Sequence, residues 1–302
     1  MRKSLGKLFI LVVIAVLIPC IFVMTTQPTS NSPTEVDELE EEHPVGMFSW
    51  EEYVDTPERA EALIDQLSIT RWYQEIDFQG DSTKIKSFIN GLSEKNVTAY
   101  ALFGSVDWGY EKDGKSLIAA IKEVSKYNES AEAGEKISGI MVDVEPYTSS
   151  RWKKNTEKQM KNYVSGMIAA YQYGKEQNLN VAVCIPRHYD DQNLTEELER
   201  LIAEACDEVV VMNYDCGREI QSIATEAALA EQYGKTLHCI LEFQRVGKHG
   251  LTEDKTYRNK GIDQALLTWD RLDGAFPRLT IVRDYHWTKP IEEMLEEGND
   301  GK

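Results

Sequence analysis

The fold class that the sequence predicts is a single (β/α)8 barrel, and three observations predict it. Short β-branched or aromatic runs alternate with amphipathic stretches, giving eight strand candidates with helical patterns between them. The alternating part covers roughly 250 residues, the usual size of that barrel. The rival, a doubly wound open sheet, normally shows a glycine-rich phosphate turn after its first strand. Here Trp50 runs into Glu51-Glu52-Tyr53, which cannot serve.

The 302-residue chain opens with Arg2, Lys3 and Lys7, followed by an apolar run from Leu8 to Met24 broken only by Pro19. A basic flank before and an acidic chain after fit an uncleaved signal anchor over residues 1–25, with the bulk of the protein outside the cytoplasm. Cleavage of that segment would make the protein secreted. Residues 26–44 are rich in Thr, Ser and Pro and then acidic (Glu35, Asp37, Glu38, Glu40, Glu41, Glu42), the composition of a disordered tether.

The barrel is expected over residues 45–302. Its strands are predicted at Val45–Trp50, Ile69–Ile76, Val97–Gly104, Ile137–Pro146, Asn180–Pro186, Asp207–Asp215, Lys235–Phe243 and Leu279–Trp287. Helical periodicity covers Pro57–Leu67, Lys84–Lys95, Ser116–Tyr127, Asn155–Glu176, Leu194–Ala205, Ile220–Tyr233 and Gly261–Asp273, with a terminal Glu-rich helix at Ile291–Glu297. Gly174 and Gly234 are the breakers expected at two helix exits.

Composition excludes several functions. Hydrophobic residues at 42% and charged residues at 28% describe a globule. The balance of 33 Lys+Arg against 51 Asp+Glu, a formal charge of −18, repels phosphates and argues against nucleic acid as a partner. Cys20 lies in the apolar N-terminal run; Cys184, Cys206, Cys216 and Cys239 lack C-x-x-C spacing and read as buried thiols. The five His are scattered, so no metal is expected, although Arg187-His188-Tyr189-Asp190-Asp191 could bring a His and an acid to the mouth. No G-x-S-x-G or Walker loop is present, and no cofactor is expected.

In this fold the chemistry sits at the C-terminal ends of the strands. The fourth strand ends Met141-Val142-Asp143-Val144-Glu145-Pro146-Tyr147. Alternation puts Asp143 and Glu145 on one face with Met141, while Val142 and Val144 point under the helices. Two acids one pleat apart repel, which raises the proton affinity of one of them, as protonation of a leaving glycosidic oxygen requires. The same acids would also fit a strand-end salt bridge or helix cap. The sixth strand ends Met212-Asn213-Tyr214-Asp215 and the eighth ends Asp284-Tyr285-His286-Trp287, placing a phenol and an indole at the mouth.

Together, D-x-E on strand four, M-x-Y-D on strand six and Trp on strand eight resemble the family 18 glycoside hydrolases, the chitinase-like barrels. The resemblance implies Glu145 as general acid and Asp143 as the group that orients the substrate's acetamido. It further implies an acetamido carbonyl nucleophile assisted by Tyr214, and a floor formed by Trp287. Asp215 closes the second motif and joins the candidate substrate-binding residues. The chain departs from the family pattern D-x-x-D-x-D-x-E at Ser138 and Met141, where the inner aspartates would stand. That departure keeps a non-catalytic carbohydrate-binding barrel in play, as well as a scaffold for surface-polymer assembly. Glu242, closing strand seven, offers a further alternative: a retaining glycosidase using Glu145 and Glu242, whose carboxyls would lie about 5 Å apart. Glu242 could instead bind substrate or pair with Arg245 or Arg283. Trp50, Trp108, Trp152 and Trp287 end strands or follow them, and Tyr73, Tyr147 and Tyr189 could join them as sugar-binding aromatics. The expected partner is a polysaccharide, with the membrane reached through the N-terminal segment.

Overall fold

A computed structural model describes residues 43–300. The expected membrane segment and the acidic tether up to Glu42 lie outside the described residues. Among those described, no helix is long and apolar enough to cross a membrane.

Eight parallel strands close into a barrel in sequence order: β1 (Val45–Ser49), β2 (Arg71–Glu75), β3 (Thr98–Phe103), β4 (Gly139–Val142), β5 (Asn180–Pro186), β6 (Glu208–Met212), β7 (Thr236–Leu241) and β8 (Ile281–Tyr285). β8 returns to β1 through the register Gly46↔Asp284. The outer layer consists of α1 (Pro57–Leu67), α2 (Ser82–Glu94), α3 (Lys115–Glu129), α4 (Ser150–Lys154), α5 (Thr156–Glu176), α6 (Thr195–Glu204), α7 (Glu219–Ser222), α8 (Ala224–Tyr233), α9 (Ile262–Ala275) and α10 (Thr288–Asp300).

Local chemistry explains these boundaries. Pro57 begins α1, where its missing N–H costs nothing. Asp81 caps α2 by accepting from the Thr83 amide at 2.9 Å, and Asn155 caps α5 by accepting from Lys158 at 3.1 Å. Gly234 ends α8 in the left-handed conformation, as expected. Gly174 instead stays inside the last turn of α5, packed close to Val181. The helix expected over Ile220–Tyr233 is two, separated by Ile223 at φ −125°, and α4 is an addition.

Apart from β5, which has its expected bounds, the strands stop short of their expected C-terminal ends. β4 stops at Val142, after which only the Asp143 amide still reaches across, to Phe103 O at 2.7 Å. Pro146 has no amide to extend the ladder. The chain therefore leaves the sheet where Asp143 and Glu145 must point into the mouth.

Two apolar layers hold the barrel. Outward-facing residues such as Met47, Trp72, Val142, Val144 and Val211 pack under the helices. Buried indoles there keep partners: Trp269 Nε1 donates to Cys239 O at 3.0 Å and Trp72 Nε1 to Gln74 Oε1 at 2.9 Å. Inside the barrel, Phe48, Leu102, Met141, Cys184, Val210 and Ile240 form a narrower core.

Beneath that inner core lies a polar plug. His238 Nδ1 is 2.7 Å from Asp284 and its Nε2 is 2.8 Å from Glu208. Arg71 Nη1 donates to both Glu208 oxygens at 2.9 Å, and the Tyr73 hydroxyl donates to Asp284 at 2.9 Å. Asn180 and Tyr100 complete the shell of Glu208. Burial disfavours a charged His238, but Asp284 and Glu208 outweigh it and push the imidazole up to about 9. Burial would likewise raise Glu208, yet His238 and Arg71 bring it to about 2. Gly46 is required here, because a Cβ would collide with the Asp284 carboxylate and the Tyr73 ring. Tyr73, expected among the sugar-binding aromatics, belongs to this plug, because its side chain points to the closed end of the barrel.

Candidate functional site

The mouth encloses a cavity of about 490 Å3. Asp143, Glu145, Tyr214, Glu242, Trp50 and Trp287 all line it, so six of the candidate residues singled out in the sequence converge on one space. Residues from five different strands reach it because they lie just beyond the C-terminal ends of those strands.

Several of these side chains end in polar atoms that are shielded from solvent and find no partner in the protein. They are Asp143 Oδ1, the Tyr214 hydroxyl and Trp287 Nε1. Buried polar groups are normally satisfied. A cluster of unsatisfied ones around a cavity is suited to a ligand carrying hydroxyl, amide and carbonyl groups.

The acids are differentiated. Burial, and then the neighbouring Glu145 carboxylate, push Asp143 up to about 7, against a smaller opposing effect of His286. The sequence argument expected one of the two acids to gain proton affinity; the raised one is Asp143. Glu145 Oε1 accepts a short hydrogen bond from the Tyr147 hydroxyl. Tyr147 thus touches Glu145 rather than lining the cavity, and it packs edge-on against His188 with ring centroids 5.1 Å apart. Burial and the surrounding carboxylates hold the Tyr214 phenol well above its ordinary value, so it remains a donor.

Glu242 is a fixed carboxylate. Its Oε1 accepts from the Phe243 and Gln244 amides at 2.8 and 2.7 Å, and its Oε2 accepts from the Gln244 side chain at 3.1 Å. Burial would raise its pKa, but His286 and these donors lower it. It pairs with neither arginine considered above: Arg245 reaches Glu293 and Glu297, and Arg283 reaches Asp270 and Asp273.

His286 is the cavity residue that sequence reasoning did not select. Its Nδ1 lies 3.1 Å from Glu242 Oε2, an ionic contact out of line for a hydrogen bond, and its ring meets Tyr214 edge-on at 5.4 Å. Burial lowers its pKa but Glu242, Asp143 and Glu145 outweigh this, so it is raised. Its inward position follows from strand alternation with Asp284. The carboxylate that makes it ionic comes from the neighbouring strand's end and has no signal in the sequence near it.

Three expected residues lie elsewhere. Asp215 points away from the cavity and is bound by Lys255 at 2.8 Å, Arg187 at 3.3 Å and the Ser222 hydroxyl at 3.2 Å. Burial works against its ionisation, but Lys255 and Arg187 hold its carboxyl below the usual range. Trp108 is half-buried against the outer core. Trp152, which had been placed in a rim loop, is buried in α4 and stacks on the buried Tyr189 at 5.9 Å. Both belong to packing: Trp108 sits in a short 3-10 turn after β3, and the loop carrying Trp152 after β4 folds back as a helix. His188 does not line the cavity either. Cys184, Cys206 and Cys239 are buried free thiols, and Cys216 is half-buried. Among the described residues, no three His, Cys, Asp or Glu side chains are grouped to hold a metal ion.

No family model and no curated protein matches the chain. Solved structures do match. A family GH18 chitinase from Cycas revoluta, in complex with allosamidin, superposes with a TM-score of 0.53 at 12% identity, covering 85% of this chain and 98% of that one. A chitinase from Chromobacterium violaceum gives a TM-score of 0.50 at 13% identity, over 83% of this chain and 99% of that one. The barrel is therefore similar in fold to chitinase barrels, at 12–13% sequence identity.

Proposed function

We propose that this chain is a glycoside hydrolase acting on an extracellular or cell-surface polysaccharide, with Glu145 as the general acid and Asp143 and Tyr214 assisting. The observation that supports this most is the convergence of Glu145, Asp143, Tyr214 and Trp287 on one cavity, three of them ending in unpartnered polar atoms. Two solved structures of similar fold are chitinases, which makes an N-acetylated glycan the first substrate to try.

In this reading a sugar stacks on Trp287, with Trp50 following the adjacent strand β1 in the same lining. Glu145, oriented by the Tyr147 hydroxyl, gives its proton to the leaving glycosidic oxygen. Asp143 supports this step as a donor to the same sugar, since burial and then the neighbouring Glu145 carboxylate hold its own proton up to about 7. Tyr214 donates to the sugar's acetamido group, whose carbonyl oxygen bonds to the anomeric carbon as the glycosidic bond breaks, and water then opens the ring so formed to release the product. Glu242 fixes His286 beside that phenol rather than attacking the sugar, because both of its oxygens are already engaged.

Release of reducing ends from a panel of neutral and acidic glycans tests the reading. Glu145→Gln should lower turnover on a responsive glycan by about 10²-fold or more while changing its affinity little. Full turnover in that variant would discard the assignment. The second reading, a binding-only barrel, is favoured by one feature: behind Asp143 stands Met141, whose sulfur meets Cys184 at 3.5 Å, with no acid to relay a proton. Retention of a glycan without cleavage by the unaltered chain would select it. We further propose that the N-terminal segment presents the barrel outside the cytoplasm, or releases it if cleaved. Protease digestion of intact cells that spares the barrel would oppose this.

A further inference from the structure

Beside the mouth lies a second hollow of about 380 Å3 that shares Gln244, His249 and Trp287 with the first as a common wall. Its other charged residues are Arg245, Lys248, Lys289 and Glu293, three cations against one carboxylate on a chain whose formal charge is −18. Arg245 is committed to Glu293 at 3.2 Å and Glu297 at 2.5 Å. Lys248 and Lys289 are exposed, and neither forms an ion pair among the described residues.

The loop that carries Lys248 is closely built. The Gly247 amide donates to Leu251 O and the Leu251 amide to Lys248 O, both at 2.8 Å. Gly247, His249 and Gly250 all take positive φ, at 90°, 49° and 79°. A left-handed histidine is uncommon, and such positions gather at functional sites. Here the turn sets His249 on the shared wall and Lys248 on the cationic side.

Charge is thus segregated across Trp287. The first cavity presents Asp143, Glu145 and Glu242 against the cation His286, so its lining still repels an anionic substituent from the reacting position. The second presents cations that attract one. We propose that this hollow is a subsite for an anionic sugar unit, carrying a carboxylate or a sulfate, next to the unit held at Glu145, and that the substrate is an acidic polysaccharide. The inference rests on the glycan reading above and adds the substrate class to it.

Binding to the Glu145→Gln chain, followed by tryptophan fluorescence, tests it with three oligosaccharides: a neutral N-acetylglucosamine oligomer, one alternating with glucuronate, and a sulfated counterpart. At about 20 mM salt an acidic oligomer should bind about tenfold tighter than the neutral one, and about 300 mM salt should erase the difference. Lys248→Gln with Lys289→Gln should remove the same advantage and leave the neutral affinity unchanged, which also reports that the variant is folded. Preference for the carboxylate arm or the sulfate arm identifies the substituent, and either supports the subsite. Equal binding of neutral and acidic oligomers, or an advantage that survives salt and both substitutions, overturns the subsite while the glycan reading stands. Binding of none of the three overturns both.

Discussion

Replacing His238 by Gln removes the one titratable cation that bridges two carboxylates inside the barrel while keeping a side chain able to hydrogen bond. The magnitude follows from the environment. His238 is fully buried, and Asp284 and Glu208 raise its pKa from 6.5 to about 9. That rise is equivalent to roughly 3 kcal/mol of stability. Truncating one member of a buried ion pair costs about 3–5 kcal/mol by independent measure, so the two estimates agree. Because the folded-state value lies above the unfolded one, the stabilisation is complete below about pH 6.5 and is lost as pH rises through about 9. Denaturant unfolding of both proteins across that range should show a gap of roughly 3 kcal/mol near pH 6, equivalent to a Tm difference of roughly 6–12 °C, closing by about pH 9.5. Acidic groups elsewhere affect both curves alike, so the difference isolates His238. Parallel curves, with no narrowing toward alkaline pH, would refute the idea that a protonated imidazole holds the plug together.

Two further outcomes are expected. Glu226 on α8 is buried with both oxygens unpartnered, and burial pushes its carboxyl up to about 8. Glu226→Leu should therefore stabilise the protein by on the order of 2 kcal/mol near pH 7, with the gain growing between about pH 5 and about pH 8; a loss at pH 7 by chemical denaturation would show that the carboxyl has an undetected role. In the proposed hydrolase, Asp143 gives up its proton near pH 7, so kcat/KM should fall as pH rises through that value. Asp143→Asn removes that titration and should abolish the alkaline limb near pH 7; a limb that stays in place would assign it to another group.

Much of the barrel is legible in local chemistry. Period-2 alternation in Met141-Val142-Asp143-Val144-Glu145 was enough to say that both acids face the mouth, and the inner and outer cores divide along that line. Helix positions followed from periodicity and caps such as Asp81 and Gly234. The same rule places Asp215 opposite Tyr214, on the outward side, where Lys255 and Arg187 hold it. Aromatic residues were the weak point: Trp50 and Trp152 both follow strands, yet one lines the cavity and the other is buried as part of α4. Nothing within a few residues of either distinguishes them, since the difference depends on how the following loop folds.

Strand order, facing and the pair of acids at the end of β4 were determined by the sequence alone, because each depends on interactions within one segment or on a fixed geometric repeat. Tertiary structure alone decided which charges meet. His238 finds Glu208 and Asp284 from residues 30 and 46 positions away, and Glu242 holds His286 across the β7–β8 boundary. These partnerships arise from the stagger of a closed sheet, which brings together side chains whose separation along the chain carries no trace of the contact. The same closure assigns Asp143 its raised proton affinity, since the burial responsible exists only once all eight strands surround the mouth.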